Sequence, residues 1–207
     1  MLTAFTAGLL LITVSELGDK TFFIAVILAM RHSRRLVFLG VVAALATMTV
    51  LSVLLGQAVS VLPQIYVQYA EVLLFAVFGF KLLYDASQMP AAGCNSEEQQ
   101  EAEAVVTQAE AKLPKRHTGM AIVTEAFVLT FLGEWGDRTQ LATIVLAASN
   151  NPFGVAAGAT LGHAICAAIA VACGKFICGR ISERTITSLG GVLFLIFAGV
   201  AAIDLLP

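Results

Sequence analysis

One six-residue phrase occurs twice in this chain, and each time it interrupts an apolar run. The first copy is Glu16-Leu17-Gly18-Asp19-Lys20-Thr21, within residues 2–30, and the second is Glu134-Trp135-Gly136-Asp137-Arg138-Thr139, within residues 120–148. A charged side chain at the centre of a membrane helix costs roughly 2.5–3.5 kcal/mol on insertion scales. The six charges of the two copies must therefore pair, bind an ion or line water. On a continuous helix the Glu, the Asp and the base of each copy fall at i, i+3 and i+4, so the spacing predicts one shared charged face per copy.

Composition places these runs in a membrane. Of 207 residues, 58% are hydrophobic and 13% charged, with mean hydropathy +0.88. A soluble domain is about 25% charged. The formal net charge of −2 carries no nucleic-acid signature. Cys94, Cys166, Cys173 and Cys178 form no CxxC pair and read as reduced, small apolar residues rather than a disulfide or metal framework. No cofactor is expected. The first apolar run is too long for a cleavable signal and carries the phrase, so it is expected to be retained.

Six apolar spans follow, at 3–30, 36–62, 66–88, 119–148, 153–178 and 184–206. Each meets the roughly 20 residues that a bilayer core requires. Bases cluster in the odd loops: Arg31, Arg34 and Arg35; Lys112, Lys115 and Arg116; Lys175, Arg180 and Arg184. The even loops have none, so the positive-inside rule places the odd loops in the cytoplasm and both termini outside. The repeat extends beyond the phrase. At an offset of 118, Leu28 meets Leu146, Val37 meets Val155, Gly40 meets Gly158 and Gly56 meets Gly174. At 119, Phe75 meets Phe194, Phe78 meets Phe197 and Asp85 meets Asp204. Three spans per unit, an odd number, invert the second copy. The expected architecture is an all-α membrane protein of six transmembrane helices, built as two inverted three-helix repeats at 1–90 and 119–207 around a cytoplasmic linker at 91–118. In that linker Ser96-Glu97-Glu98-Gln99 reads as a capping box opening a short helix to about Lys112. Its stripe of Val105, Val106, Ala109 and Leu113 is thin, which favours a solvated linker; cation sensing by its glutamates is the alternative.

Glu16, Asp19, Glu134 and Asp137 offer hard oxygen ligands suited to Mg2+, Ca2+ or Mn2+. Crowded carboxylates in a low dielectric also hold protons when no cation is bound, so one set of groups can serve a cation and protons in turn. Thr21 and Thr139 add hydroxyl oxygens, while Lys20 and Arg138 pair with a carboxylate in the empty state. Gly18 and Gly136 can let helices cross closely, or let the backbone unwind and present carbonyls. The rival reading is a buried salt-bridge staple, but two copies with excess negative charge overshoot what a staple needs. His163 reads as a satisfied core histidine, with a proton relay as the alternative. A soft-metal site from His163, Cys166 and Cys173 on one stripe is a minor reading. Glu71, Gln57, Lys81, Asp85 and Glu125 fall near span ends, where solvation or local pairing is expected. Thr47, Thr49, Ser52 and Thr160 read as helix–helix contacts.

The doubled phrase resembles the E-x-G-D-K/R-T/S signature of the small divalent cation/proton antiporters, a family that includes the MneA and Mnx manganese exporters, chloroplast manganese transporters and Golgi Mn2+/Ca2+ transporters. The similarity covers nearly the whole chain, including residues 24–32, Gly158-Ala159-Thr160-Leu161-Gly162-His163 and residues 190–195. Residues 79–85 and the Glu-rich linker are most similar to the cyanobacterial and plastid branch. The resemblance implies that Glu16, Asp19, Glu134 and Asp137 form the cation site, with Lys20, Thr21, Arg138 and Thr139 completing it. Gln140 follows the second copy where Phe22 follows the first, so an amide oxygen is offered by one half only. The implied activity is export of Mn2+ from the cytoplasm in exchange for protons, into a thylakoid lumen or across the plasma membrane, with Ca2+ the alternative cargo. A cation channel and a structural membrane factor are the competing classes. No nucleophile–base pair favours an enzyme. Counting the two phrases, four carboxylates against two bases leave 4 − 2 = 2 negative charges, which one divalent cation or two protons neutralise.

Overall fold

The computed structural model describes residues 1–89, 97–111, 118–177, 183–203 and 205, without the side chains of 97, 173–177 and 183. Expectations placed on Cys94, Lys112, Lys115, Arg116, Cys178, Arg180 and Asp204, and on the side chains of Cys173 and Lys175, lie outside that description. The described residues are helical, with no strand: α1 Leu2–Glu16, α2 Lys20–Arg31, α3 Arg34–Val59, α4 Gln64–Gln88, α5 Glu97–Glu110, α6 Gly119–Glu134, α7 Arg138–Ser149, α8 Pro152–Ile177 and α9 Glu183–Ile203.

The phrase does not lie on a helix; it ends one and starts the next. After Glu16 the chain turns extended at Leu17 (φ −66°, ψ 116°) and left-handed at Gly18 (φ 82°). Asp19 then caps α2, its carboxylate accepting from the Lys20 N–H at 2.8 Å. The second copy repeats this at Trp135 (φ −67°, ψ 112°), Gly136 (φ 84°) and the cap Asp137. Glycine tolerates positive φ without a Cβ clash, and aspartate is among the best N-caps. The predicted i, i+3, i+4 face is therefore not formed. The expected spans at 3–30 and 119–148 are each two short helices, of 15 and 12 residues and of 16 and 12 residues. Among the described residues, four helices are long and apolar enough to cross a membrane: Arg34–Val59, Gln64–Gln88, Pro152–Ala172 and Arg184–Ile203.

Packing repeats as the sequence does. Helix α1 lies on α8, its counterpart α6 lies on α3, and α4 lies on α9. Glycines set the closest approaches. A Cβ at Gly158 would fall 2.1 Å from the Phe5 carbonyl oxygen, and one at Gly40 would fall 2.5 Å from that of Val123. Both pairs are related by the offset of 118. The α4–α9 contact is aromatic: Phe75 stacks edge-on against Phe194 (5.7 Å between centroids), flanked by the equivalent pairs Phe75–Phe197 and Phe78–Phe194. Large apolar side chains such as Leu39, Leu54, Leu73, Phe80 and Ile196 point outward. Glycines at the closest helix approaches, with large apolar side chains also facing outward, are the pattern of helices packed in lipid.

The linker helix is docked rather than solvated. Ala102 and Val106 of α5 are fully buried in the cluster that includes α2. Lys20, at the start of α2, meets Glu101 at 2.9 Å, and Arg31, at its end, pairs with Glu110. The two helices thus run side by side in the same direction. Of the stripe predicted from Val105, Val106, Ala109 and Leu113, Val106 is fully buried, Val105 and Ala109 are partly buried, and Leu113 lies outside the described residues; Ala102 extends the stripe toward the start of the helix.

Candidate cation-binding site

Two helix breaks converge to form the site. Each places the C-terminal carbonyls of one short helix beside the N-terminal N–H groups of the next, backbone groups that have no partner within the helix itself. At the first break the Asp19 N–H returns to the Glu16 carbonyl (3.3 Å) and at the second the Asp137 N–H returns to that of Glu134 (3.1 Å). Glu16 and Glu134 are each only 2% exposed. The Thr21 hydroxyl donates to Glu16 Oε2 at 3.4 Å, and the Thr139 hydroxyl to Glu134 Oε2 at 3.3 Å. Across the pair, Thr139 also lies near Glu16, and Thr21 near Glu134. Glu16 is close enough to Glu134, Asp19 and Asp137 for all three charges to act on it. The residues singled out in the two phrases therefore come together as one cluster of four carboxylates and two hydroxyls.

The halves are not identical. Arg138 crosses to the other half, its Nη2 lying 3.5 Å from Asp19 Oδ2. Lys20 does not reciprocate toward Asp137 and instead turns to Glu101 of the linker helix. Gln140 is engaged at both ends of its amide, where Oε1 accepts from the Gly136 N–H at 2.7 Å and Nε2 donates to Met48 Sδ at 3.3 Å. It holds the second break in shape, and only the remaining lone pair of its oxygen is left for a cation. The residue in the matching place, Phe22, packs edge-on against Phe23.

His163 is not the satisfied core histidine expected from sequence. Its Nδ1 lies 3.8 Å from Glu16 Oε1, both groups are buried, and among the described residues neither atom has a hydrogen-bond partner. Cys166, one turn on, donates to the Thr13 carbonyl at 3.2 Å. Cys166 and Glu16 also line a shallow recess with Val41 and Ala170 on its walls. The position matching His163 in the first half is Leu45, so the histidine is found on the Glu16 side only. Thr47, Thr49 and Ser52 bond the carbonyls of Ala43, Leu45 and Met48 within their own helix, rather than a neighbouring one. Sequence reasoning missed Glu101, for which the only signal was the acidic start of the linker.

Comparison with known sequences points the same way as the geometry. A family profile described as divalent cation/proton antiporter GDT1 matches residues 4–90 and 122–206. The chain is 63% identical over 201 residues to GDT1-like protein sll0615 of Synechocystis sp., covering 97% of each. It is 43% identical over 209 residues to GDT1-like protein 2, chloroplastic, of Oryza sativa subsp. japonica, covering 95% of this chain and 60% of that relative. Against protein PAM71-homolog, chloroplastic, of Arabidopsis thaliana, identity is 40% over 210 residues, covering 95% and 58%. No solved structure matches.

Proposed function

The chain belongs to the GDT1 family of divalent cation/proton antiporters, and from that premise we propose that it exports a divalent cation from the cytoplasm in exchange for protons, with Mn2+ as first cargo and Ca2+ as the alternative. The observation that carries this reading is the convergence of Glu16, Asp19, Glu134 and Asp137 at two facing helix breaks. Secondary transporters hold their substrates at such interrupted helices, where backbone and side-chain oxygens are both on offer. The four carboxylates bind the cation, Thr21, Thr139 and Gln140 supply neutral oxygens, and Lys20 and Arg138 balance charge. His163 gives a proton leaving Glu16 a base outside the set of cation ligands.

On this reading α1 with α2, and α6 with α7, each cross the membrane once as a broken span. Together with α3, α4, α8 and α9 they make six crossings. The paired packing of α1 on α8 and α6 on α3 supports two repeats, at 1–90 and 119–207, in opposite orientations. The protein is an integral, multi-pass membrane protein. The loop charges favour termini outside the cytoplasm, in a thylakoid membrane or the plasma membrane. Labelling of Cys94 by an impermeant thiol reagent, expected from the cytoplasmic side only, tests the orientation.

Buried glutamates collared by threonines, with an arginine crossing to Asp19, fit an exchanger better than a continuously wet channel. In proteoliposomes with an imposed pH gradient, Mn2+ flux is expected to vanish in both Glu16→Gln and Glu134→Gln while each protein stays folded. Each keeps its shape and loses the ionisable oxygen that cation and proton share. Wild-type flux in either variant would leave the exchange without its site.

A further inference from the structure

Outside the central site, three chemistry-bearing side chains from three different helices meet at the far end of α2. They are His32, the C-cap of α2; Glu110, the last residue of α5; and Glu125, on α6. One ligand atom from each lies within 4.8 Å of the other two. His32 Nε2 is 3.3 Å from Glu110 Oε1 and 3.9 Å from Glu125 Oε2. Arg31 holds Glu110 through Oε2, which leaves Oε1 facing the imidazole. We propose that His32, Glu110 and Glu125 form a second divalent-cation site, distinct from the central carboxylates, that latches the linker helix α5 onto both halves of the protein.

The geometry suits an ion. Ligand atoms about 2.0–2.4 Å from a metal stand roughly 3–4.5 Å from one another, so a small adjustment of side chains closes the set. The site is also sheltered: the His32 and Glu125 side chains are 10% and 3% exposed. Donor chemistry separates it from the central cluster. One imidazole nitrogen with two carboxylates favours a divalent transition ion, with Mn2+ as the probe used below, over Ca2+ or Mg2+, which prefer oxygen alone. The pseudo-symmetric position lacks the ligands. Asn150 stands where His32 would be and Ala7 where Glu125 would be. The helix end itself is built alike at both places, with φ −128° at His32 and −127° at Asn150. The ligands thus meet at one of two equivalent places and are not a by-product of the repeat.

The latch connects with the transport site through α5. Nine residues separate Glu110 from Glu101, which is about 14 Å along a helix. At that distance Glu101 holds the phrase base Lys20, and the charge of Glu98 acts on Arg138. An ion bound at His32, Glu110 and Glu125 therefore fixes one end of a helix whose other end holds Lys20 of the central site. That regulatory consequence rests on the exchange reading above; the binding site itself does not.

The test counts Mn2+ by the loss of its free six-line paramagnetic resonance signal, using purified full-length protein. With the central site disabled by Glu16→Gln and Glu134→Gln together, about one Mn2+ per chain is expected to remain bound. Adding His32→Ala, or separately Glu110→Gln, should weaken that binding at least tenfold, with an equal concentration of Ca2+ displacing little. Hydrogen exchange in residues 97–110 should slow on Mn2+ addition in the doubly substituted protein and not after His32→Ala. Glu110 sits on the linker helix, so Glu110→Gln leaves the membrane bundle intact if His32→Ala disturbs it. No bound Mn2+ in the doubly substituted protein, or binding indifferent to both further changes, overturns the latch. Equal Mn2+ counts in wild type and the doubly substituted protein would instead remove the central site and leave the latch standing.

Discussion

At Gly136 the requirement is purely one of backbone conformation. The residue holds φ 84°, and a Cβ there would meet nothing within 4 Å. Any loss on substitution therefore reports the left-handed turn itself, which costs a non-glycine residue roughly 1–2 kcal/mol. Gly136→Ala is expected to lower stability by about that amount, with Asn milder because it tolerates the left-handed region. Thermal unfolding in detergent checks the order; equal stability of all three would show that the turn is not held. At His163 the question is chemical. Leu45 occupies the matching place in the other half, so His163→Leu is compatible with the local packing while removing the base beside Glu16. Mn2+ binding should survive and proton-driven flux should fall at least tenfold, read as Mn2+ uptake against the size of the pH step. Unchanged flux would make the histidine a spacer.

Helix pairs rather than single side chains decide how closely the two halves meet. At Gly158 an added methyl would sit against the Phe5 backbone, which cannot move aside as a side chain can. Gly158→Ala is therefore expected to cost at least 1–3 kcal/mol, the usual range for overpacking. Gly199→Ala, where a Cβ meets nothing within 4 Å, should change stability by less than about 1 kcal/mol. Comparing the two by unfolding separates close helix approach from helix propensity; similar losses would deny the contact its importance. This scale also shows what the sequence disclosed. The doubled phrase, its four carboxylates and a linker helix were legible, because a repeated phrase, paired acids and a polar run between apolar spans stand in the sequence itself; the Ser96 cap expected for that helix lies outside the described residues. The break was only half legible: Glu16, Asp19 and Lys20 fit a helical face as well as a helix end, and the Gly18 φ decides between them. The Lys20–Glu101 pair and the docking of Ala102 and Val106 were hidden, since residues so far apart in the chain meet only through the tertiary fold.

For the whole molecule the decisive quantity is charge carried per cycle. The two phrases together hold four carboxylates against Lys20 and Arg138, a net of −2. A loaded site crosses the low-dielectric region at least cost when it is neutral, which one divalent cation or two protons achieve. The structure changes that count, because Lys20 is taken up by Glu101 of α5. With that pair neutral in itself, four carboxylates face Arg138 alone, a local net of −3. Neutrality then calls for a divalent cation plus one proton in one loaded state and three protons in the other. The difference between the two loaded states is unaltered: one divalent ion against two protons, whether or not the linker helix keeps its hold on Lys20. Exchange should therefore be electroneutral in the wild type and in Glu101→Gln alike, even if the rates of the two differ. Proteoliposomes clamped with potassium and valinomycin provide the measurement. A flux flat with potential at fixed pH on both sides is expected for both proteins. A flux that climbs steeply with potential means that net charge crosses in each cycle, and the two-proton count fails.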